Sequence, residues 1–439
     1  MAHTSAEKKR KRAVQAGREE IPAGRLDSLV AVLESVRRRG PCTRGQIVAE
    51  TGLSRAVVAQ RVVELTRRGL IEDGDRGPSS GGRAPRLLRF RASGGHLLVA
   101  DLGATSMGIA LTDLGGEVLD YERTPMEIAD GPTVVLARVR ERFAELSSRA
   151  GLVREPWGIG IGIPGPVEFS TGLPVAPPIM PGWDQFPIRG YFGELRAPVW
   201  VDNDANLLAL GEYRAGVGRG HETMIFIKIG TGIGAGIIVN GRLHRGAQGS
   251  AGDIGHVQIT DDPSVVCRCG NIGCLEAVAG GGAIARAADT AAREGRSAML
   301  ASLLEQEGRV TAVEVGWAAA HGDQFSVELI ARAGRVIGAA LASLVNVLNP
   351  SLIVIGGGVS LVGDLLLASI RQAVYGRSLP LATRSLTIVR GELGLRGGVI
   401  GAAGLVADQL FSTSLLSLWA ADGRPVGRPE LADVAQLLP

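Results

Sequence analysis

Apolar residues recur at Leu26, Leu29, Val30, Leu33 and Val36, a rhythm that predicts a helix ending at Arg37-Arg38-Arg39-Gly40. Cations suit the last turn of a helix, where unpaired carbonyls point outward, and glycine suits the exit. Thr43 with Gln46 reads as a capping box for a second short helix reaching Glu50. Thr51-Gly52-Leu53 is then a tight turn, and Ser54 caps a third helix whose Val58, Val62 and Leu65 face inward. That order of helices predicts a helix-turn-helix, with Arg55, Gln60 and Arg61 on the outer face. Asp73 to Phe90, broken by glycines and closed by Leu87-Leu88-Arg89-Phe90, reads as a β-hairpin wing carrying Arg83 and Arg86.

Near Gly95 the pattern changes to short apolar strands that end in glycine-bearing bends. His96 to Ala100 leads into Asp101-Leu102-Gly103-Ala104-Thr105, with strands following at Met107 to Thr112 and near Val118. Met224 to Ile229 leads into Gly230-Thr231-Gly232-Ile233-Gly234, and Leu352 to Ile355 into Gly356-Gly357-Gly358. Such bends let backbone N–H groups approach phosphate, while a hydroxyl at Thr105 and a carboxylate at Asp101 suit phosphate and magnesium. Asp101, Gly103, Thr105, Gly230, Thr231, Gly232, Gly357 and Gly358 are therefore the candidate contacts for a nucleotide with Mg²⁺. Strands also end at Pro164-Gly165-Pro166 and at Asp202-Asn203-Asp204, the latter opening a helix. Asp204 reads either as a general base or as part of that helix's cap. Helices are expected over 280–293, 311–320, 327–348 and 393–410.

The whole predicts an α/β chain. A basic tail (1–25) and a winged helix-turn-helix (26–91) precede two lobes (92–205 and 206–410) and a C-terminal tail (411–439). In the tail, Leu415, Leu416, Leu418 and Trp419 read as an amphipathic turn docked on the body or as a partner contact.

Charge sharpens this division. Residues 1–91 hold 20 Lys and Arg against 10 Asp and Glu, and the rest 27 against 34, although the whole chain carries only +3. A basic front on an acidic body fits operator DNA as a partner, with Ser54, Arg55, Gln60, Arg61 and Arg83 as candidate contacts. No signal-peptide core or apolar run of membrane length is expected, which places the chain in the cytoplasm. Three of the four cysteines, Cys267, Cys269 and Cys274, lie in a C-x-C-x4-C spacing behind His256. Such crowding suits a structural Zn²⁺ with four protein ligands.

These motifs resemble those of the ROK family of bacterial sugar kinases and sugar-responsive repressors, within the actin-like ATPase fold. The most specific piece runs from G-D-I-G-H at Gly252 through C-R-C-G-N-I-G-C-L-E, ending at Glu276. The resemblance implies sugar contacts from Gly165, Asn203, Asp204, Asp253, His256 and Glu276, with Asp204 as catalytic base. Two departures stand out: Asp253 replaces the usual glutamate, and the loop usually P-N-L-P-G-W here reads Pro177-Pro178-Ile179-Met180-Pro181-Gly182-Trp183. Trp183 reads as a stacking surface for a pyranose or as a structural plug. The helix-turn-helix points to the repressor branch, binding a sugar or sugar phosphate as a homodimer or homotetramer. An ATP-dependent, glucokinase-like sugar kinase is the second reading.

Overall fold

The computed structural model describes residues 23–77, 86–152 and 155–434. Arg83 lies outside them, as does most of the basic tail. At the front, α1 (Ala23–Arg39), α2 (Arg44–Thr51) and α3 (Arg55–Arg67) pack around Leu29, Leu33, Ile47, Val58, Val62 and Leu65. The capping box forms as the sequence predicts: Gln46 N donates to Thr43 Oγ1 at 3.2 Å, and Thr43 N to Gln46 Oε1 at 2.8 Å. Strands β1 (Ile71–Arg76) and β2 (Arg86–Phe90) pair antiparallel as the wing.

The body holds two five-stranded sheets. In the first, β3 (His96–Leu102), β4 (Ser106–Asp113), β5 (Val118–Pro125), β6 (Gly158–Ile163) and β9 (Val199–Asn203) take the order β5-β4-β3-β6-β9. Helix α4 (Pro132–Arg149) covers its outer face, and the small hairpin β7 (Val167–Glu168) and β8 (Leu173–Pro174) projects from it. Helix α5 (Asp204–Ala215) follows β9 directly. The second sheet joins β10 (Met224–Ile229), β11 (Ile233–Val239), β12 (Arg242–His244), β13 (Leu352–Gly356) and β14 (Thr387–Arg390) in the order β12-β11-β10-β13-β14. Helices α6 (Leu275–Ala279), α7 (Gly281–Arg293), α8 (Ala298–Glu307), α9 (Ala312–Ala320), α10 (Gln324–Leu348) and α11 (Asp364–Arg377) accompany it. Both sheets repeat one plan, an antiparallel hairpin joined to parallel strands, as the recurring bends predicted.

Helix α10 corrects one expectation, because it is long and apolar enough to cross a membrane. It is a core helix instead: Ile330, Ile337, Leu341 and Val345 are buried against the second sheet's helices. The lobe boundary also shifts. Helix α12 (Gly397–Leu410) returns to cover the first sheet, with Val399, Ala402 and Val406 in the same core as Leu97 and Val99. It crosses α5 backbone to backbone, since a Cβ at Gly401 would overlap Leu207 O and one at Gly211 would overlap Gly397 O. Helix α13 (Thr413–Trp419) then folds back between the first lobe and the front domain.

Candidate ligand-binding cleft

A cleft of about 910 Å³ opens between the sheets. It gathers Gly103, Thr105, Gly165, Asn203, Asp204, Gly230, Thr231, Gly232, Asp253, His256, Glu276 and Gly358 on its walls, although they span more than half of the chain. Asp101 and Gly357 are not on that surface. The Asp101 carboxylate lies against Gly398 at the start of α12. Burial, reinforced by Asp204, raises its pKa to about 6. Gly357 has φ +88°, and a Cβ there would strike the backbone of Ile229, so it lets the loop after β13 pass the end of β10.

The start of α5 is wired through three consecutive polar residues. Asn203 is the cap: its Oδ1 accepts from Ala205 N at 2.9 Å and from Asn206 N at 3.4 Å, while Nδ2 donates to Gly165 O at 3.0 Å. Asp202 is also tied down, accepting from Asn206 Nδ2 and from Arg245 Nε, each at 2.8 Å. With capping done by its neighbour, Asp204 is left to face the cleft. Its partner is the Lys228 ammonium, a contact no sequence motif announced. Burial pushes the Asp204 carboxyl up from its ordinary value, and Lys228 pulls it the other way. Arg245, equally unforeseen, stacks 3.7 Å over Phe169 while it holds Asp202.

On the opposite wall Glu276 Oε2 accepts from Ile233 N at 3.1 Å, fastening α6 to the Gly230–Gly232 bend. The Gly281 and Gly282 N–H groups donate to Gly230 O and Thr231 O, each at 2.9 Å, fixing the bend from its other side. Trp183 is fully buried, with Nε1 donating to Ile128 O at 3.1 Å. It is a plug and offers no face to a ligand.

His256, Cys267, Cys269 and Cys274 converge so that one ligand atom from each lies within 4.8 Å of all the others. Cys269 Sγ to Cys274 Sγ is 3.7 Å and Cys267 Sγ to His256 Nδ1 is 3.6 Å. Tetrahedral Zn–S and Zn–N bonds of about 2.3 and 2.0 Å imply edges of roughly 3.8 and 3.5 Å, so the donor set fits such an ion. His256 turns its other nitrogen, Nε2, toward Asp253 Oδ1, 3.8 Å away.

The ROK family profile matches residues 98–409, well over half of the chain. The chain belongs to the ROK family. Among ROK relatives, the xylose repressor of Caldicellulosiruptor bescii is 31% identical over 87% of this chain and 95% of its own length. A solved ROK family transcriptional regulator, a homologue of the Escherichia coli MLC protein, superimposes with a TM-score of 0.77 at 29% identity. It covers 91% of this chain and 100% of its own. The Streptomyces griseus ROK glucokinase, solved with glucose and AMPPNP, gives 0.63 at 30% identity, covering 71% of this chain and 99% of its own. Regulator relatives thus match a longer part of this ROK chain than the kinase does.

The extra length includes the winged helix. Arg55 and Gln60 are exposed on α3, and Ser54 caps it, accepting from Val57 N at 3.3 Å. Arg61 corrects the sequence reading: it is buried, not outward. Its Nε donates to Ser28 Oγ at 2.9 Å and its Nη1 to Glu64 at 2.8 Å. Arg25 and Arg68 reach the same carboxylate at 3.0 and 2.8 Å. Burial works against the Glu64 charge, yet the bonds from Arg68, Arg25 and Arg61 hold its pKa down at about 2. On the wing, Arg86 is exposed and pairs with Asp73 at 3.0 Å.

Proposed function

We propose that this ROK chain is a sugar-responsive DNA-binding transcriptional regulator, a repressor of carbohydrate metabolism. The observation that carries this reading is a winged helix packed directly on the lobe that forms one wall of the ligand cleft. The xylose repressor and the solved regulator, matched over most of the chain, support it. In this reading α3 enters the major groove, where Arg55 and Gln60 meet base edges and Ser54 meets phosphate. A homodimer or homotetramer in the cytoplasm would match a palindromic operator through its own symmetry.

In the cleft, Gly165, Asn203, Asp204, Asp253, His256 and Glu276 would receive the sugar hydroxyls. We assign the His256, Cys267, Cys269 and Cys274 cluster to a zinc ion. With four protein ligands such an ion supplies structural restraint and no open position for water. His256, fixed through Nδ1, then presents Nε2 beside Asp253 to the sugar.

A second reading, an ATP-dependent sugar kinase, is favoured by the placement of Asp204 beside the Gly230–Gly232 bend. There Thr105 and the glycine bends would hold ATP with Mg²⁺, and Asp204 would accept the hydroxyl proton.

Selection from a pool of randomised duplexes tests the regulator reading. We expect an enriched palindrome, bound about tenfold or more weakly by Arg55→Ala. If no duplex is enriched, the reading fails. Incubation with ATP and hexoses tests the kinase reading, in which Asp204→Asn abolishes turnover.

A further inference from the structure

Lys228 has no role in either reading above, yet it lines the cleft. It is the penultimate residue of β10, and its Cε passes 3.6 Å from where a Cβ on Gly230 would lie. Its ammonium reaches Asp204 Oδ2 at the start of α5. A fixed cation therefore stands between the carboxylate that a sugar hydroxyl would address and the bend that would hold a terminal phosphoryl group. Arg123 and Arg309 line the same cleft.

Two physical consequences follow. A general base needs a free lone pair toward the attacking hydroxyl; an ammonium on Oδ2 takes one of the two carboxylate oxygens and offsets the rise in basicity that burial brings, so it competes with that hydroxyl for Asp204. A phosphate monoester placed here would be repelled by Asp204 alone. An ammonium has three N–H donors, so it can serve the carboxylate and a phosphate together and offset that repulsion. A neutral sugar gains nothing comparable from it.

We propose that Lys228 makes this cleft a receptor for a phosphorylated sugar, binding the phosphate monoester through its ammonium while keeping Asp204 from acting as a base. This rests on the reading of the cleft as a sugar site and deepens it by naming the ligand class.

The test is calorimetric titration of the full chain with glucose, mannose and N-acetylglucosamine, each against its 6-phosphate. In the wild type we expect at least one 6-phosphate to bind about tenfold or more tightly than its parent sugar. Lys228→Met should collapse that ratio to about threefold or less, and Lys228→Arg should preserve it. Thermal melts of both variants establish that they fold. If Lys228→Met does not fold, Lys228→Gln takes its place. With ATP and the parent sugars, the wild type should form no sugar phosphate above background.

Equal binding of parent sugars and phosphates, a ratio untouched by Lys228→Met, or wild-type phosphoryl transfer would each overturn the proposal. Any of these, accompanied by release of the selected duplex on adding a parent sugar, would leave the regulator reading standing. Failure to bind any duplex would remove that reading and leave the ligand preference to be judged on its own titration.

Discussion

The winged helix meets the first lobe through Phe90, Trp157, Phe411 and Trp419, whose rings lie 5.3 to 6.4 Å apart. Arg37 caps this cluster, 4.3 Å over Phe411, and burial brings its pKa down to about 10. The two lobes meet differently. Between them lie the close helix pair α5 and α12, with small residues at the crossing, and the ion pairs Lys228–Asp204 and Arg245–Asp202 at the cleft. Interlocked aromatic rings, most of them edge to face, resist sliding, so the winged helix is expected to move with the first lobe as one body. The helix crossing is close-packed, so the adjustable contacts are the ion pairs at the cleft, which can exchange partners with a ligand. A stiff joint in series with an adjustable one would let a small ligand alter the angle at which the winged helix is presented. The two connect through α12, whose Asp408 pairs with Arg214 of α5 just before Phe411 enters the aromatic cluster.

The largest expected effect comes from breaking the stiff joint. Trp419 is fully buried and donates from Nε1 to Leu410 O at 2.9 Å, so Trp419→Ala should destabilise by about 3–5 kcal/mol in denaturant unfolding. A loss under about 1 kcal/mol would mean the joint is loosely packed.

Glu64 sharpens the same joint, because Arg68, one of its three arginine partners, also reaches Ala420 O beyond α13. Glu64→Gln leaves Arg61 buried without its counter-charge and should cost about 3 kcal/mol by thermal melting, without changing sugar affinity. The pH dependence has a definite sign. A carboxyl held at about 2 against an ordinary 4.5 contributes stability that is complete above pH 4.5 and is lost as pH falls toward 2. The winged helix should therefore loosen through that window in the wild type, and Glu64→Gln should remove this part of the acid sensitivity.

Metal removal acts on the adjustable side. Chelation, or Cys274→Ser, should lower sugar affinity roughly 10- to 100-fold by releasing His256, while circular dichroism of the winged helix is retained. Full sugar affinity in chelated protein would disconnect the cluster from the pocket. The smallest expected effect is at Arg245. Asp202 is buried but keeps hydrogen bonds from Asn203 N and Asn206 Nδ2, so Arg245→Gln, which can still donate to it, should cost only about 1–2 kcal/mol of stability, yet shift ligand affinity measurably by loosening the cleft.

The parts that were legible in the sequence are those encoded by neighbours along the chain. The 3.6-residue rhythm from Leu26 to Val36, the Thr43–Gln46 box and the apolar strands before each glycine bend all form locally. The cysteine spacing brings Cys267, Cys269 and Cys274 together for the same reason. Contacts between distant segments were not legible. Arg61 follows the outward pattern of α3 until Ser28, 33 residues earlier, and Glu64 draw it inside. Lys228 looked like one polar residue in an apolar strand, although alternation along β10 alone sends a single charge somewhere other than the core. The residue to ask about was the carboxylate it would meet, and that lay 24 positions back in the other lobe. The docking of α13 on the winged helix depended likewise on where α12 returned.

Filling the cleft is expected to change DNA affinity through the ion pairs between the lobes, while the aromatic joint carries the motion. The most direct measurement is fluorescence anisotropy of the selected duplex at fixed salt, with and without a saturating ligand from the 6-phosphate titrations. We expect affinity to change by about tenfold or more in the wild type, and the change to vanish in Trp419→Ala protein that still binds both ligand and duplex. Wild-type DNA affinity that stays the same when the cleft is saturated would contradict the claim.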